Sequence, residues 1–594
     1  MAIKGNTPPA QLKEILQVGL NSFMGDYGTK KTIIVKDHFV FGFIVPASPF
    51  PLTTWSYFED EEGCCFIDGV FYDKYLYHQP VDGEDVLLAK HIIDNFRRMN
   101  VKAIEELNGS FRGFIYDFRN THLTTFIDRL GTKILYWSRE GNNLIVTTNL
   151  ASFSKLKNLS LDEIAAFQFL TVGFPIGNRT LLKDIQIHTP GMTNSFRDSS
   201  EETRRYWNIP HRMQGISLNA CVEMIMESVE DHVERVYNKS QVKLGLALSG
   251  GHDSRVILNA LVSRKVPFVP VLWRDNNFND RIALNLCSLL NKEPIIADDV
   301  DVNALDDIQK NIFLYSDGHY LNSFGFIRLG KLCYDRHIPS LLIGFSGDKI
   351  SGSLTYPDPA YLKNIRELAQ YTLNNQMELF SFDQAQSLLL TSDTRLTDVT
   401  FSEWEDSFAK ITPREHLSDI SILQGFANRN HKRVRLAMLP AEQYVQDLFP
   451  YLDSKVLNSY FSLPFDFLKH QKAHCFAGFR RVRDFRKYPA SNYPISLAQE
   501  ALVPKFLYFL RLLKLKGQRL STSIRPQKYR GVWNQLHEEI LDEIVQSPLF
   551  DSGLLRRMYT EKSIYPAELY KLHTLVRFYD FYVCGNQSKM WQAL

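Results

Sequence analysis

The sequence predicts an α/β fold in three parts: a β-rich α+β sandwich, a doubly wound parallel sheet, and a largely helical C-terminal part. Three observations carry that reading. Short alternating or apolar runs fill residues 30–205. From about Pro210 onward helical and strand patterns alternate. At Lys243 to Ile257, KLGLALSGGHDSRVI, an apolar run of buried-strand length turns through two glycines into helical spacing.

Composition narrows the class. At 594 residues the chain has room for several domains, and 44% apolar with 23% charged residues is ordinary for a soluble globular protein. Lys+Arg 68 against Asp+Glu 66 gives +2, so no overall field favours nucleic acid. The seven cysteines are scattered; Cys64 and Cys65 form the one adjacent pair, and no CxxC or Cys/His metal spacing occurs. With no signal peptide at the start, a reducing cytoplasmic location is expected. The strongest apolar stretch, Ala501 to Leu515, is broken by Lys505, Arg511 and Lys514 and reads as an amphipathic helix, not a membrane span.

In chain order, Thr32 to Val45, Cys64 to Tyr72, Gly113 to Phe118, Leu123 to Ile127 and Asn143 to Thr148 read as strands punctuated by Gly, Pro, Asn and Asp. One helix, Asp85 to Asn100, interrupts them, with Val86, Leu88, Ile92, Ile93 and Phe96 at apolar spacing. Beyond Pro210, Leu218 to Tyr237 is a helix, followed by the central strand, the helix after Ser254, and strands at Pro267 to Trp273 and Glu293 to Ala297. Asp280 to Leu290 and Phe324 to Tyr334 are helical, and Ser340 to Ile343 is a further buried strand. In such a sheet ligands sit beyond the carboxyl ends of the strands.

The turn Ser249-Gly250-Gly251-His252-Asp253-Ser254 is a candidate nucleotide site. It aims backbone N–H groups and a helix N-terminus at one point, which suits a phosphate. The glycines admit close approach, the serines add hydroxyls, and an acid in an anion site makes sense if it holds Mg2+ against phosphates. There is no Gly-Lys-Ser/Thr, so this is not a Walker loop. It resembles the SGGxDS signature of the N-type ATP pyrophosphatases, which cleave ATP to AMP and pyrophosphate.

A second resemblance extends this one. Glu106-Leu107-Asn108-Gly109-Ser110-Phe111, Ile115-Tyr116-Asp117 and Asp128-Arg129-Leu130-Gly131-Thr132-Lys133-Ile134-Leu135-Tyr136 are similar to the glutaminase domain of asparagine synthetase. Thr171-Val172-Gly173-Phe174, Thr180-Leu181, Pro190-Gly191 and Arg205-Tyr206-Trp207 resemble its passage into the synthetase domain. That implies a class II glutamine amidotransferase-like sandwich at 1–208 and an ATP pyrophosphatase-type synthetase domain at 209–594. The family's glutaminase uses an N-terminal cysteine whose amine is the base. Here the chain begins Met1-Ala2-Ile3, and Phe41-Gly42-Phe43-Ile44 stands where the family has Cys-Gly-Ile, placing the first strand at Phe39 to Val45 behind an extension. Asp68-Gly69-Val70-Phe71-Tyr72-Asp73 resembles the glutamine-binding segment with its Glu replaced by Val70. Cys64 and Cys65 lie inside the chain without a free amine. The resemblance therefore implies an inactive glutaminase.

Gly344-Phe345-Ser346-Gly347-Asp348-Lys349 resembles the family's second signature, in which the Asp348 position shares Mg2+ with Asp253. Phe345 stands where asparagine synthetase has Glu and β-lactam synthetase has Tyr. The resemblance implies ATP and Mg2+ as cofactors. Leu248, Ser249, Gly250, Gly251, Asp253, Ser254, Leu272 and Gly344 would contact the nucleotide, and Asp253 and Asp348 the metal. Phe449-Pro450-Tyr451-Leu452-Asp453 and Leu463-Pro464 lead to Lys472, which falls near the family lysine that neutralises pyrophosphate, with Lys469 a close competitor. The basic runs Asn428 to Arg435 and Arg480 to Lys487 are expected to be solvated faces, or else to line a cleft for an acidic peptide or pyrophosphate.

Together these imply an enzyme that adenylates a carboxylate for attack by an amine. Loss of the glutaminase points to an amine from the substrate itself, as in the lasso-peptide cyclases. That reading brings a precursor peptide as substrate, with a leader-binding protein and a leader peptidase as partners. The alternative is a β-lactam synthetase-like or asparagine synthetase-like ligase of a small molecule. A nucleic-acid-modifying pyrophosphatase is disfavoured by the +2 charge, and a pseudoenzyme scaffold by the intact signature.

Overall fold

The computed structural model describes residues 2–4, 9–21, 29–36, 38–46, 53–73, 86–140, 143–154, 158–197, 200–207, 209–273, 278–297, 323–352, 362–376, 380–391, 393–411, 417–489, 540–561, 563–564 and 566–585. The stretch Ala501 to Leu515 lies outside these. No helix among the described residues is long and apolar enough to cross a membrane.

The first part is a sandwich of two antiparallel six-stranded sheets. One runs Gln186–Ile187, Tyr136–Glu140, Asn143–Thr147, Ala2–Lys4, Phe39–Pro46, Thr29–Lys36; the other Ser200–Arg205, Met192–Arg197, His122–Ile127, Gly109–Asp117, Gly63–Phe71, Thr53–Glu59. The residues ahead of Phe39 correct the expectation of an extension before the first strand. Ala2–Lys4 is itself a strand, inserted between Phe39–Pro46 and Asn143–Thr147, with Ala2 opposite both Phe41 and Val146.

Period-two alternation builds the sandwich interior. Phe39, Phe41 and Phe43 share one face and meet Trp55, Cys64, Phe114, Tyr116 and Phe196 from across the gap. The rings interlock, with Phe39 stacked 4.3 Å from Tyr116 and Phe41 edge-on to Phe114 at 4.7 Å. The adjacent cysteines obey the same alternation: Cys64 faces this aromatic layer, while Cys65 faces Leu88, Ile92 and Ile93 of the covering helix Val86–Met99.

The second part is a five-stranded parallel sheet ordered Ile295–Ala297, Phe268–Trp273, Leu244–Ala247, Ser340–Leu342, Gln446–Leu448. Four of these strands are those expected; Gln446–Leu448 was not. Chain order reverses between Leu244–Ala247 and Ser340–Leu342, which are paired directly, Leu244 against Ser340. That is the switch point at which loops diverge and leave a crevice. The helix Leu218–Ser240 packs behind it, its N-terminus capped by Ser217, whose Oγ accepts from the Ala220 N–H.

The helical C-terminal part returns to the sandwich. Leu572, Leu575 and Phe578 of the helix Pro566–Tyr582 share a core with Phe167, Phe169 and Leu170 of Glu163–Thr171. A ten-residue π-helix, Phe426–Arg435, clasps the two parts together. His431 lies between the carbonyl oxygens of Gly131 (Nδ1, 2.7 Å) and His188 (Nε2, 3.1 Å). Lys432 donates to Pro175, Gly177 and Arg179 carbonyls, and Arg435 to Thr132 O and Asp447. The basic run Asn428 to Arg435 is therefore a buried clasp instead of a solvated face. The charge of Lys432 is met by backbone carbonyls and that of Arg435 by a carbonyl and the Asp447 and Glu442 carboxylates, pairings that sequence charge counts do not register. Arg480 and Arg481 pair with Glu223 and Glu230, while Arg483, Arg486 and Lys487 are exposed as expected.

Candidate active site

Ser249-Gly250-Gly251 leaves the end of Leu244–Ala247, and Gly250 takes φ +70, a conformation glycine adopts without strain. Gly251 caps the helix His252–Ser263, whose first-turn N–H groups have no intrahelical acceptor. Inside the loop, Ser254 Oγ accepts from the Ser249 N–H at 3.3 Å, and Ser249 Oγ accepts from the Gly251 N–H at 3.3 Å. The loop is held from below by the fully buried Arg255, which donates to the Gly250 carbonyl at 3.0 Å.

The second signature joins it. The Asp348 N–H donates to Asp253 Oδ2 at 3.1 Å, so the two aspartates meet at the switch point. Two glycines permit this approach. A Cβ on Gly344 would lie 2.8 Å from Asp253 Cβ, and one on Gly347 would lie 2.7 Å from Asp253 Cγ. Burial pushes the Asp348 carboxyl up; Lys349 opposes that, Asp253 adds to it, and Arg429 opposes it again. Burial also pushes the Lys349 ammonium down to about 8, against the pull of Asp348. Two carboxylates brought to one site are relieved by a divalent cation. Among the described residues no group of three or more His, Cys, Asp or Glu side chains forms a cage of its own. A metal here would take two carboxylates plus ligand oxygens, as Mg2+ with phosphates does.

Other expected residues are placed differently. Leu248 and Leu272 are buried in the core, with the Leu248 N–H donating to Val271 O, so neither offers its side chain to a nucleotide. Trp273, at the same strand end, is 38% exposed and its ring lies against Gly325. Phe345 packs on Phe449, ring centres 5.3 Å apart, and is core. Lys472 begins the helix Lys472–Ala477; its ammonium lies 5.6 Å from the Phe467 ring centre, and it makes no ion pair with a described carboxylate. Lys469 sits one turn earlier, in Lys469–Gln471.

Three residues at the site were not anticipated. His474 Nε2 lies 3.0 Å from Asp253 Oδ1, Tyr460 O–H meets His474 Nδ1, and Tyr451 O–H donates to the Asp253 carbonyl at 2.8 Å. They lie some 200 residues from Asp253 in sequence, separations of 221 for His474 and 198 for Tyr451, beyond the reach of any local motif. Tyr451 at least stands in the family-like Phe449 to Asp453 segment.

The two parts also meet at Asp453, which is fully buried. It lies 3.1 Å from His232 Nδ1, accepts from Arg235 at 2.7 Å and from Asn108 of the sandwich at 3.4 Å. Burial works against its charge, but His232 and Arg235 outweigh that and hold the carboxyl well below the usual range.

Residues 86–207 match the glutamine amidotransferase domain family. The chain is also 22% identical over 176 residues to a provisionally named asparagine synthetase (glutamine-hydrolyzing) of Methanocaldococcus jannaschii, covering 29% of this chain and 34% of that protein. It is 24% identical over 208 residues to amidase chry2 of Gibberella zeae, covering 33% and 31%. The matches thus span about a third of each of these relatives. Over the first of those stretches the chain is similar to a protein named as an asparagine synthetase. Among solved structures, the B. subtilis glutamine phosphoribosylpyrophosphate amidotransferase aligns with 62% of this chain and 88% of that one at 11% identity and TM-score 0.24. NMN synthetase from Francisella tularensis aligns with 38% and 96% at 13% and TM-score 0.18. Scores so low carry no argument about fold.

Proposed function

We propose that this chain is an ATP-dependent amide ligase whose parallel-sheet half adenylates a carboxylate and whose sandwich half no longer hydrolyses glutamine. The observation that carries the first part is the meeting of Asp253 and Asp348 at the switch point, where two glycines let the signatures approach. The two acids and the loop's N–H and hydroxyl donors suit ATP with Mg2+, which when bound would supply an electrophilic α-phosphorus and a pyrophosphate leaving group. The residues' tasks follow. The Ser249 to Ser254 loop would orient phosphate oxygens through N–H and hydroxyl groups, and Asp253 with Asp348 would hold the cation. Lys349, Lys472 or Lys469 would supply positive charge on the pyrophosphate side. A substrate carboxylate oxygen attacks phosphorus as the bond to pyrophosphate breaks; an amine then attacks the acyl carbon, expels AMP and gives up its proton.

Three observations support loss of the glutaminase. Ala2, in the buried central strand, has no nucleophile. The space between the sheets is filled by aromatic rings. Burial pushes the Cys64 thiol up to about 12 and that of Cys65 well above its ordinary value, so neither supplies a thiolate. We therefore infer that the amine comes with the substrate.

The finer reading is macrolactam closure of a lasso-type precursor peptide. A small-molecule ligase of asparagine synthetase type fits at least as well, since that is what a matched relative is named. Pyrophosphate release from ATP–Mg2+ by wild type and Asp253→Ala separates them. Release only with a short peptide bearing an internal Asp or Glu, and loss of one water from its mass, supports the cyclase. Release with an amino acid and a free amine supports the small-molecule ligase. Release with glutamine plus aspartate would overturn the assignment of the sandwich as inactive.

A further inference from the structure

Asp253 is the residue on which the proposed function turns, yet its side chain is a quarter exposed, in the first turn of the helix His252–Ser263. What fixes it comes from far along the chain. The His474 side chain is fully buried, with one ring nitrogen at Asp253 Oδ1 and the other at the Tyr460 hydroxyl. A carboxylate oxygen only accepts, so Nε2 carries the proton that it shares with Asp253. The other ring nitrogen, Nδ1, is met by the Tyr460 hydroxyl, so both nitrogens of the buried ring are engaged and its orientation is fixed.

The helix that carries His474 is itself aimed by unusual backbone. His470 and Gln471, immediately before Lys472, both have φ +57, a left-handed pair that non-glycine residues rarely adopt. The pair is anchored to the second signature: Gln471 Nε2 donates to Ser351 Oγ at 2.7 Å, and Gly352 approaches Leu468 so closely that a Cβ would lie 2.3 Å from its carbonyl oxygen. The segment holding Asp348 and the segment holding His474 are thus docked on each other, and both reach Asp253.

We propose that His474, oriented by Tyr460, is a positioning residue that fixes the Asp253 carboxylate for the cation of a bound Mg–nucleotide. This rests on the nucleotide reading given above. His474 holds one lone pair of Oδ1 and the Asp348 N–H one of Oδ2, so the carboxylate cannot rotate about its last bond, and its remaining lone pairs face a fixed direction. Partners that orient a metal ligand in this way are worth about 10–100-fold in metal affinity.

The test is calorimetric binding of a non-hydrolysable ATP analogue, with Mg2+ and again in EDTA, to wild type, His474→Leu, His474→Gln and Tyr460→Phe. His474→Leu is expected to weaken Mg–nucleotide binding about tenfold or more while leaving metal-free binding unchanged. His474→Gln, whose amide N–H still reaches Asp253, is expected to recover most of that loss. Tyr460→Phe removes one hydroxyl from a filled core and is expected to fall between wild type and His474→Leu, which keeps the test alive if His474→Leu does not fold. Equal affinity for Mg–nucleotide in all four proteins overturns the proposal, as does an equal loss with and without metal. Wild type that binds nucleotide normally in those cases leaves the ligase reading standing; wild type that binds none removes both.

Discussion

The interior of the sandwich and the strand ends of the parallel sheet are the two places where this fold could keep a reaction centre, and they have been filled in opposite ways. Between the antiparallel sheets rings dominate: Phe39, Phe41, Phe43, Trp55 and Phe114 close around Cys64 and Ala2. At the switch point the close contacts are of another kind: Gly344 and Gly347 let the second signature come against Asp253, whose carboxylate is met by the Asp348 N–H and the His474 ring. Apolar packing between the sheets leaves no room for a substrate. Polar groups gathered on one carboxylate suit a charged ligand instead. On the proposed function, the difference separates a half that supports from a half that acts.

That contrast can be broken most directly by exchanging the kinds of damage. Phe41→Ala should cost about 3–5 kcal/mol of stability and leave pyrophosphate release per folded molecule intact; denaturant midpoint and turnover, measured together, check it. A loss of turnover without loss of stability would make the sandwich a working site. Asp253→Asn should do the reverse, lowering pyrophosphate release about 10³-fold, within the range for losing one electrostatic contact in a transition state, with little change in melting temperature.

Gly347→Ala sharpens the point, since it adds one methyl and removes no functional group. Its Cβ would meet Asp253 Cγ at 2.7 Å and Tyr451 Cε2 at 2.8 Å. A displacement of Asp253 of this kind should cost about 10²-fold in turnover, read by pyrophosphate release in protein whose circular dichroism is unchanged. The smallest effect belongs to Cys64→Ala. A buried thiol that packs like a methyl group should cost about 1 kcal/mol of stability and leave turnover unaltered, and any loss of glutamine-dependent activity in that variant would restore the glutaminase.

The sequence made some of this legible, for a physical reason. A strand that ends in Ser249-Gly250-Gly251 and a helix that starts at His252 are written in consecutive residues, and so is the Gly344 to Asp348 turn; local order sets their conformations. Four parallel strands could be read because each is a continuous apolar run. The fifth, Gln446–Leu448, is three residues long with two polar ones, and only its place beside Ser340–Leu342 makes it a strand. Ala2–Lys4 was unreadable in the same way, being specified by partners on both sides. His474 carries no local signal: its meaning comes from Asp253, 221 residues away, and from Tyr460, 14 residues away and in another helix. Charge misled at Asn428 to Arg435, where the partners are backbone carbonyls of the sandwich and the carboxylates of Glu442 and Asp447.

The clasp built by that run has a consequence for how the molecule tolerates change. Along Phe426–Arg435 consecutive residues serve different neighbours: Asn430 donates to Ser346 of the second signature at 2.8 Å, while His431 lies against Gly131 and His188 of the sandwich. The segment works like a gear tooth meshed on both sides. Removing one residue from it would rotate everything beyond the cut by a large part of a turn, and no sliding of either half could restore both sets of contacts. Length in this stretch should therefore be less negotiable than the chemical identity of any one side chain in it.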